Sequence, residues 1–163
     1  MIKLLQMDES TFQFFLSQST REYAADKVKS GAWDPDNALK LSQEAMTRFL
    51  PSGLHTEGAY LYSVVHEEVE ESIGYIWFNV TEGRGGREAF IYDIYIFEPY
   101  QGKGYGKLTM QALDEEARKM GVTKIGLHVF GQNTRAFELY KKMGYIITDI
   151  SMSKELKLEE GGS

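Results

Sequence analysis

The spacing of hydrophobic and polar residues changes repeatedly along the chain, and this separates candidate strands from candidate helices. Alternating or short β-branched and aromatic stretches predict strands at 2–6, 59–66, 72–80, 88–97, 124–129 and 145–154. Apolar residues that recur every three or four positions predict helices that begin after Asp8 and after Asp34, and two more over 108–120 and 134–143. The predicted order of elements is therefore βααβββαβαβ.

This order describes one α/β domain built on a mixed sheet. The second, third and fourth strands follow one another through short polar loops, which predicts an antiparallel meander. The strands at 88–97 and 124–129 are joined by a single helix, so they should lie parallel. We expect the domain to span residues 1–156 and residues 157–163 to form a disordered tail.

Composition narrows the class of protein. A chain of 163 residues with 42% hydrophobic and 26% charged residues has the size and usage of one globular domain. The chain has no Cys, which excludes disulfides, thiolate metal sites and a cysteine nucleophile. The net charge of −6 argues against nucleic acid as a partner, because phosphate binding needs a basic surface, and it mildly favours cationic acceptors.

No stretch of the sequence predicts a membrane span, a signal peptide or a metal site. No run approaches the ~18 apolar residues that a span requires. Asp8 and Glu9 follow the first apolar residues too soon for a signal peptide, so a cytoplasmic protein is expected. His66-Glu67 begins like a metalloprotease motif, but Glu70 stands where a second His is required.

The most informative stretch is the glycine-rich segment Tyr100–Lys107, which lies between a predicted strand and a predicted helix. Glycines at 102, 104 and 106 allow positive φ angles and a close approach of the backbone to a ligand. The first amides of the following helix have no partner inside the helix and carry the positive end of its dipole. The segment therefore predicts an anion site, most often one for phosphate.

Two common phosphate-binding motifs do not fit this segment. The Walker loop requires a glycine where Gln101 stands and a Ser or Thr where Leu108 stands. The dinucleotide-binding motif Gly-x-Gly-x-x-Gly requires a glycine where Lys107 stands. The pattern that remains is Gln-x-x-Gly-x-Gly, starting at Gln101.

This pattern resembles the pyrophosphate loop of the GNAT acyltransferase superfamily. A second segment supports the resemblance, because from Asn133 to Tyr145 the chain shows the family's succession of Asn, Ala, Leu-Tyr and Gly followed by an aromatic residue. The two motifs occur in the family's order between Ile91 and Tyr145. The resemblance implies a mixed sheet whose parallel central strands splay apart, and acetyl-CoA as the co-substrate, without a metal.

The resemblance also implies which residues hold acetyl-CoA. Main-chain groups of the central strand would pair with the pantetheine arm, and the amides of the loop would take the pyrophosphate. Asn133 would reach the arm or cap its helix, and Lys103 and Lys107 would assist the phosphates or lie solvated at the surface. The implied cofactor-binding residues are Ile94, Tyr95, Ile96, Gln101, Gly102, Lys103, Gly104, Tyr105, Gly106, Lys107 and Asn133.

Direct acetyl transfer to an amine, which the resemblance implies, needs a proton acceptor and a proton donor. Asp93 is the candidate base, because a carboxylate on an apolar central strand is costly unless it is used or paired; a paired structural role is the alternative. His128 is the second candidate. By resemblance, Tyr140 protonates the departing coenzyme A, and core packing is its alternative. Regular alternation places Asp93 on the same face as Ile91 and Tyr95.

The acceptor stays open at this point. A small-molecule amine or an amine on a protein or peptide would fit, as would a monomer or a homodimer. The aromatic residues that could line an acceptor pocket are Trp33, Tyr60, Tyr62, Tyr75 and Trp77. The alternative to an N-acetyltransferase is a module that binds acyl-CoA as a sensor without turnover. Tyr140 favours the enzyme, because a binding module needs no acid at that place.

Overall fold

A computed structural model describes residues 1–158 and consists there of five strands, four α-helices and two short 3-10 turns. The strands are β1 (Ile2–Gln6), β2 (Ala59–His66), β3 (Ser72–Gly83), β4 (Gly86–Ile96) and β5 (Val122–Leu127). The helices are α1 (Glu9–Lys29), α2 (Ala38–Phe49), α3 (Tyr105–Lys119) and α4 (Thr134–Lys142). The 3-10 turns are Gly53–His55 and Glu98–Tyr100.

The five strands form one mixed sheet in the order β1-β2-β3-β4-β5. The first four are antiparallel neighbours, and β5 lies parallel to β4 after the α3 crossover. This confirms the predicted fold class of a single mixed α/β sheet, including the meander and the parallel pair. None of the helices between residues 1 and 158 is long and apolar enough to cross a membrane.

Two hydrophobic clusters cover the two faces of the sheet. On one face, α3 contributes Met110 and Leu113 to a cluster with Phe78 and Ile91. On the other face, α1 and α2 pack over a second cluster, whose buried members are Met7, Phe12, Phe15, Met46, Leu50, Leu54, Leu61, Tyr75 and Trp77. Burial of this many large apolar side chains on both faces is what holds the central strands in place.

The first helix, α1, begins where the sequence predicts, whereas the second helix, α2, begins later than predicted. The Asp8 carboxylate accepts a hydrogen bond from the Thr11 amide at 2.7 Å and so caps α1. Asp34 instead accepts from the Asp36 amide at 2.9 Å, which makes a local turn around Pro35. The predicted helix start at Asp34-Pro35 is therefore wrong, and α2 begins at Ala38.

A β-bulge in β4 changes which side chains share a face. Trp77 of β3 pairs with Asp93 and the next residue, Phe78, pairs with Ile91, so Tyr92 is an extra residue in the ladder. As a result Ile91 packs with the α3 cluster, whereas Asp93 and Tyr95 face α1 and its cluster. The prediction from regular alternation, that Asp93 and Ile91 share a face, is wrong because of this bulge.

The predicted last strand at 145–154 is not formed. From Tyr145 to Leu158 the structure has no strand or helix, and the side chains after Tyr145 are exposed, with 82% of Ile146 and 89% of Met152 accessible. Of the predicted tail at 157–163, residues 157 and 158 are exposed, and residues 159–163 lie outside the described part of the chain.

Candidate active site

A cleft of about 480 Å³ opens where β4 and β5 separate. The ladder between these strands ends at the pair Ile91–Leu127, while β4 continues to Ile96. Beyond Ile91, β5 therefore offers β4 no ladder partner. The residues that line the cleft are Ser19, Glu22, Tyr23, Asp26, Lys27, Met46, Phe49, Trp77, Phe90, Ile91, Tyr92, Asp93, Ile94, Leu127, His128, Val129, Phe130, Asn133 and Tyr140.

Asp93 lies in this cleft and is hydrogen-bonded to α1. The bulge at Tyr92 turns the Asp93 carboxylate toward α1. There the Ser19 hydroxyl donates a hydrogen bond to Asp93 Oδ2 at 2.7 Å. Burial raises the pKa of Asp93 to about 7, and the Ser19 hydrogen bond opposes this by favouring the ionised form. A carboxyl group with a pKa near 7 is suited to accept a proton at neutral pH.

Two further carboxylates make one wall of the cleft acidic. Glu22 and Asp26 follow Ser19 on α1 at helical spacing, so all three lie near one face of the helix. Burial raises the pKa of both Glu22 and Asp26, and the charge of each adds to the raised pKa of Asp93. The wall therefore concentrates negative potential beside Asp93.

Tyr140 faces the same cleft from α4. Its side chain is partly buried, and its ring lies 5.9 Å from the Tyr145 ring. Burial raises the pKa of the Tyr140 hydroxyl, and the charge of Asp93 raises it further. Tyr140 is therefore a protonated donor at neutral pH, close enough to Asp93 for the two groups to influence each other.

Asn133 also lines the cleft, at the beginning of α4. Its Oδ1 accepts a hydrogen bond from the Ala136 amide at 3.3 Å, so the side chain caps the helix. The cap leaves the side-chain nitrogen free of any hydrogen bond within the described residues.

The glycine-rich segment forms a turn that leads directly into α3. Gly102 and Gly104 have φ angles of 77° and 84°, in the left-handed region that favours glycine, and Gly104 is the residue before the helix. The first α3 amides, from Tyr105 to Lys107, follow it. Gln101 is exposed, and its Nε2 donates to the Ile96 carbonyl at 2.7 Å, which fastens the turn to the end of β4. Lys103 and Lys107 are exposed.

The other predicted side chains divide between cleft and core. Trp77 and His128 line the cleft, although Trp77 is almost entirely buried and His128 is exposed. Trp33 packs edge-on against Tyr23 with ring centroids 5.4 Å apart. Tyr60 and Tyr62 pack against Phe78, and Tyr75 is in the core, so these three do not line the cleft.

The residues of α1 and α2 that line the cleft were not predicted. Ser19 lies on the apolar face of α1, where a buried hydroxyl needs a partner, and this is the one sequence signal that could have pointed to Asp93. Glu22 and Asp26 look like ordinary solvated helix residues in the sequence. Among the described residues, no three His, Asp or Glu side chains are grouped so that they could hold a metal ion.

Comparison with known proteins places this chain in a family. The model of the acetyltransferase (GNAT) family matches residues 25–145, which is most of the chain. The chain belongs to the GNAT acetyltransferase family, and it is an acyltransferase. The resemblance drawn from the loop and from the segment that begins at Asn133 is thereby confirmed.

Relatives of nearly equal length support this assignment. The chain is 42% identical over 155 residues to the uncharacterized N-acetyltransferase YycN of Bacillus subtilis, covering 95% of this chain and 99% of the relative. The crystal structure of YycN superposes with a TM-score of 0.93 at 41% identity, covering 97% of this chain and all of the other. A second Bacillus subtilis relative, the uncharacterized N-acetyltransferase YdgE, is 35% identical over 94% of this chain and 97% of its own length.

A more distant structure shares the fold. A predicted acetyltransferase from Clostridium acetobutylicum, whose crystal structure contains acetyl-CoA, superposes with a TM-score of 0.62 at 17% identity. The superposition covers 95% of this chain and 96% of the other. GNAT acetyltransferases use acetyl-CoA and acetylate amines.

Replacing Gly104 with Ala is expected to weaken acetyl-CoA binding by about tenfold. A Cβ at Gly104 meets no protein atom within 4 Å, but the residue has a φ of 84°, and an L-side chain there costs roughly 1–2 kcal/mol. If the loop amides hold the phosphates, this strain would move them out of the geometry that the contact needs. Calorimetric titration with acetyl-CoA measures the effect.

Gly85→Ala is the matched control, because Gly85 also has open space around it but no left-handed φ. Lys107→Ala should change the affinity far less than Gly104→Ala if backbone amides carry the site. An unchanged affinity in folded Gly104→Ala would remove the loop from the binding site.

Proposed function

We propose that this protein transfers the acetyl group of acetyl-CoA directly to a primary amine, with Asp93 as the base and Tyr140 as the acid. The observation that carries the proposal is that both side chains lie in one cleft, at the point where β4 and β5 separate. The catalytic unit that we propose spans residues 1–156. Its acceptor is a small-molecule amine or an amine on a peptide or protein.

The main chain around the cleft fits the shape of coenzyme A. Beyond Ile91 the edge of β4 that faces β5 is open, and the amide-rich pantetheine arm suits such an edge. The turn from Gln101 to Gly104 and the first amides of α3 would hold the pyrophosphate. The Asn133 side-chain nitrogen, which has no hydrogen bond to any residue between 1 and 158, lies beside this path. When bound there, acetyl-CoA supplies a thioester whose carbonyl an amine can attack.

Asp93 would accept the proton that the amine must lose before it can attack. An alkyl amine with a pKa of ~10.4 is neutral in only about one molecule in 2,500 at pH 7, which corresponds to a cost of roughly 4.6 kcal/mol. With its pKa of about 7, Asp93 is ionised in roughly half of the molecules at neutral pH and can take that proton. The Ser19 hydroxyl orients the carboxylate by donating to Oδ2.

Tyr140 would donate a proton to the sulfur of the departing coenzyme A. Its raised pKa keeps the hydroxyl protonated, and its helix begins at Asn133, beside the proposed path of the pantetheine arm. Asp93 comes from β4 and Tyr140 from α4, so two different elements of the same cleft would take the proton from the amine and give a proton to the thiolate.

The acidic wall of α1 favours an acceptor that carries a second positive charge. Glu22 and Asp26 line the cleft on the side of Asp93, and no hydrogen bond or ion pair to a basic side chain neutralises them among the described residues. Lys27, the basic residue of this wall, has its ammonium group 5.5 Å from the ring centres of Tyr23 and Trp33. A diamine, or an amine in a basic peptide, would place its second charge against the two carboxylates.

A coenzyme A release assay with a panel of amines tests the proposed function. The chain has no Cys, so a thiol reagent reports coenzyme A without any signal from the protein. The panel pairs acceptors that differ in one charge, such as butylamine and 1,4-diaminobutane, and includes basic and neutral peptides. We expect acetylated product, identified by mass spectrometry, from diamines or basic peptides. Binding of acetyl-CoA without acetylation of any amine would instead support a sensor module.

The double variant Glu22→Gln with Asp26→Asn is expected to raise KM for a diamine by roughly tenfold and to leave KM for the matched monoamine nearly unchanged. A charge interaction of ~1.4 kcal/mol, reasonable for partly buried charges, corresponds to this factor. Steady-state kinetics with butylamine and 1,4-diaminobutane measure it. Glu9→Gln is the control, because Glu9 is an exposed carboxylate in the first turn of the same helix. Equal KM changes for both amines would contradict charge recognition by this wall.

A further inference from the structure

One part of the cleft is lined by aromatic rings to which the proposed acetyl transfer assigns no role. The Tyr92 ring stacks on Trp77, with ring centroids 4.6 Å apart and an angle of 16° between the two planes. It also contacts the rings of Phe49, at 5.2 Å, and Phe90, at 5.1 Å. All four residues line the cleft. We call the surface made by Tyr92, Trp77, Phe49 and Phe90 the aromatic patch.

The aromatic patch is only partly used as hydrophobic core. Trp77 is 1% exposed and belongs to the cluster under α1 and α2, but 39% of Phe90 and 39% of Tyr92 are accessible. Phe90 stands opposite Gly126 in the ladder between β4 and β5. Its ring lies over this glycine, since a Cβ there would be 3.5 Å from Phe90 Cδ2. Exposed aromatic rings that lie side by side in a cleft are typical of a ligand site.

The aromatic patch adjoins the proposed base. Tyr92 directly precedes Asp93 in β4, and Trp77 is the ladder partner of Asp93 in β3. An amine whose nitrogen is at Asp93 would therefore have its substituent close to these two rings. Glu22 and Asp26 add negative charge to the same cleft. The cleft thus offers carboxylates to a cation and a flat apolar surface to the group that carries it.

We propose that the amine acceptor carries an aromatic ring, which lies on the exposed parts of Tyr92 and Phe90. This proposal rests on the proposed acetyl transfer, because it describes the acceptor of that reaction. Aromatic rings attract one another beyond the gain from burial alone, so the patch distinguishes an aromatic substituent from an aliphatic one of similar size. An arylalkylamine has this chemistry. The ring does not replace the second positive charge that Glu22 and Asp26 favour, since one acceptor can carry both.

Two amines of similar size test the ring: 2-phenylethylamine, and 2-cyclohexylethylamine, in which the ring is saturated. Replacing Tyr92 with Leu keeps an apolar side chain but removes the aromatic ring. This change should raise the dissociation constant of the phenyl amine by roughly fivefold more than that of the cyclohexyl amine. Because each amine is compared between two forms of the protein, differences in hydrophobicity and basicity between the amines cancel. NMR titration in the presence of coenzyme A measures both dissociation constants without turnover.

Three further variants complete the test. Tyr92→Phe keeps the ring and should keep the wild-type ratio of the two dissociation constants. Phe90→Leu should act like Tyr92→Leu, and it keeps the test decisive if Tyr92→Leu fails to fold, because Tyr92 stacks on the buried Trp77 whereas Phe90 contacts Tyr92 at the surface. Phe14→Leu is the control, since Phe14 is an exposed aromatic residue of α1 that does not line the cleft.

Several outcomes would overturn the proposal. Equal effects of Tyr92→Leu and Phe90→Leu on both amines would show that the patch recognises apolar bulk or charge and not an aromatic ring. No effect of either variant on either amine would also contradict it, and an altered mass of these variants in light scattering would then show that a second copy of the chain covers the patch. If no amine is acetylated, the proposed acetyl transfer fails, whereas the binding ratios still decide whether the cleft prefers an aromatic ring.

Discussion

Replacing Asp93 with Asn should lower kcat/KM by roughly 10²–10⁴-fold at about pH 8 while leaving the protein folded. Asn keeps the shape of the side chain and can still accept the hydrogen bond from Ser19, but it cannot take a proton from the amine. The measurement is steady-state kinetics with an acceptor identified in the amine panel. Asp36→Asn, at an exposed carboxylate in the turn before α2, is the control.

The pH dependence separates a base from a structural carboxylate. In the wild type, log kcat/KM should rise with pH and lose slope above about pH 7, where Asp93 becomes fully ionised. In Asp93→Asn this change of slope should disappear, and the difference between the two enzymes should shrink below pH 7, because Asp93 is then protonated. A variant that keeps the wild-type profile would assign Asp93 to the scaffold.

The same substitution should raise thermal stability at high pH. The pKa of Asp93 is raised from 3.8 to about 7 in the folded protein, so the folded state binds its proton more tightly than the unfolded state does. The free energy of unfolding therefore falls as pH rises from about 4 to about 7, by at most ~4 kcal/mol. Asn does not ionise, so Tm of Asp93→Asn should exceed that of the wild type above pH 7 and approach it near pH 4. A lower Tm at every pH would show a structural role.

Replacing Tyr140 with Phe should lower kcat by roughly 10²-fold and leave the affinity for acetyl-CoA nearly unchanged. The substitution keeps the ring contact with Tyr145 and removes only the hydroxyl. The loss should be at the low end for a general acid, because a thiol with a pKa of ~8.5 is already a fair leaving group beside tyrosine at ~10. Kinetics under saturating acceptor, with calorimetry for acetyl-CoA, measure both quantities.

Tyr145→Phe is the matched control for Tyr140→Phe. The Tyr145 hydroxyl is buried near Tyr140 and has no hydrogen-bond partner within the described residues, so its removal should not reduce kcat. Full activity of Tyr140→Phe would show that water protonates the thiolate and that Tyr140 serves packing.

Most helices and strands could be predicted from the sequence, because their formation depends on residues that are close together in the chain. The Asp8 cap, the strands of the meander and the turn at Gly104 each depend on residues close in sequence. The start of α2 was mispredicted because Asp34 has two local uses, as a helix cap and as a turn, and its bond to the Asp36 amide selects the turn.

The site itself could be predicted only in the part that the resemblance covers. The sequence predicts Asp93, Tyr140 and Asn133 as site residues, and all three line the cleft. The sequence does not predict Glu22 and Asp26 as site residues, because they lie about 70 positions before Asp93. Only the packing of α1 on the sheet brings them to the cleft. The strand predicted at 145–154 is not formed. A strand pattern shows that a segment favours an extended conformation, but it does not identify the strand with which that segment would pair.

The extra residue at Tyr92 affects how this chain can be aligned with its relatives. Odd-numbered side chains of β4 face α3 up to Ile91, and from Asp93 onward they face α1. A relative whose strand lacks the insertion would be one residue shorter inside the strand, where alignments rarely place a gap. Unless a gap is opened at Tyr92, the column that contains Asp93 would compare a carboxylate with a residue of the opposite layer, and the loss or gain of this acid in evolution would be miscounted.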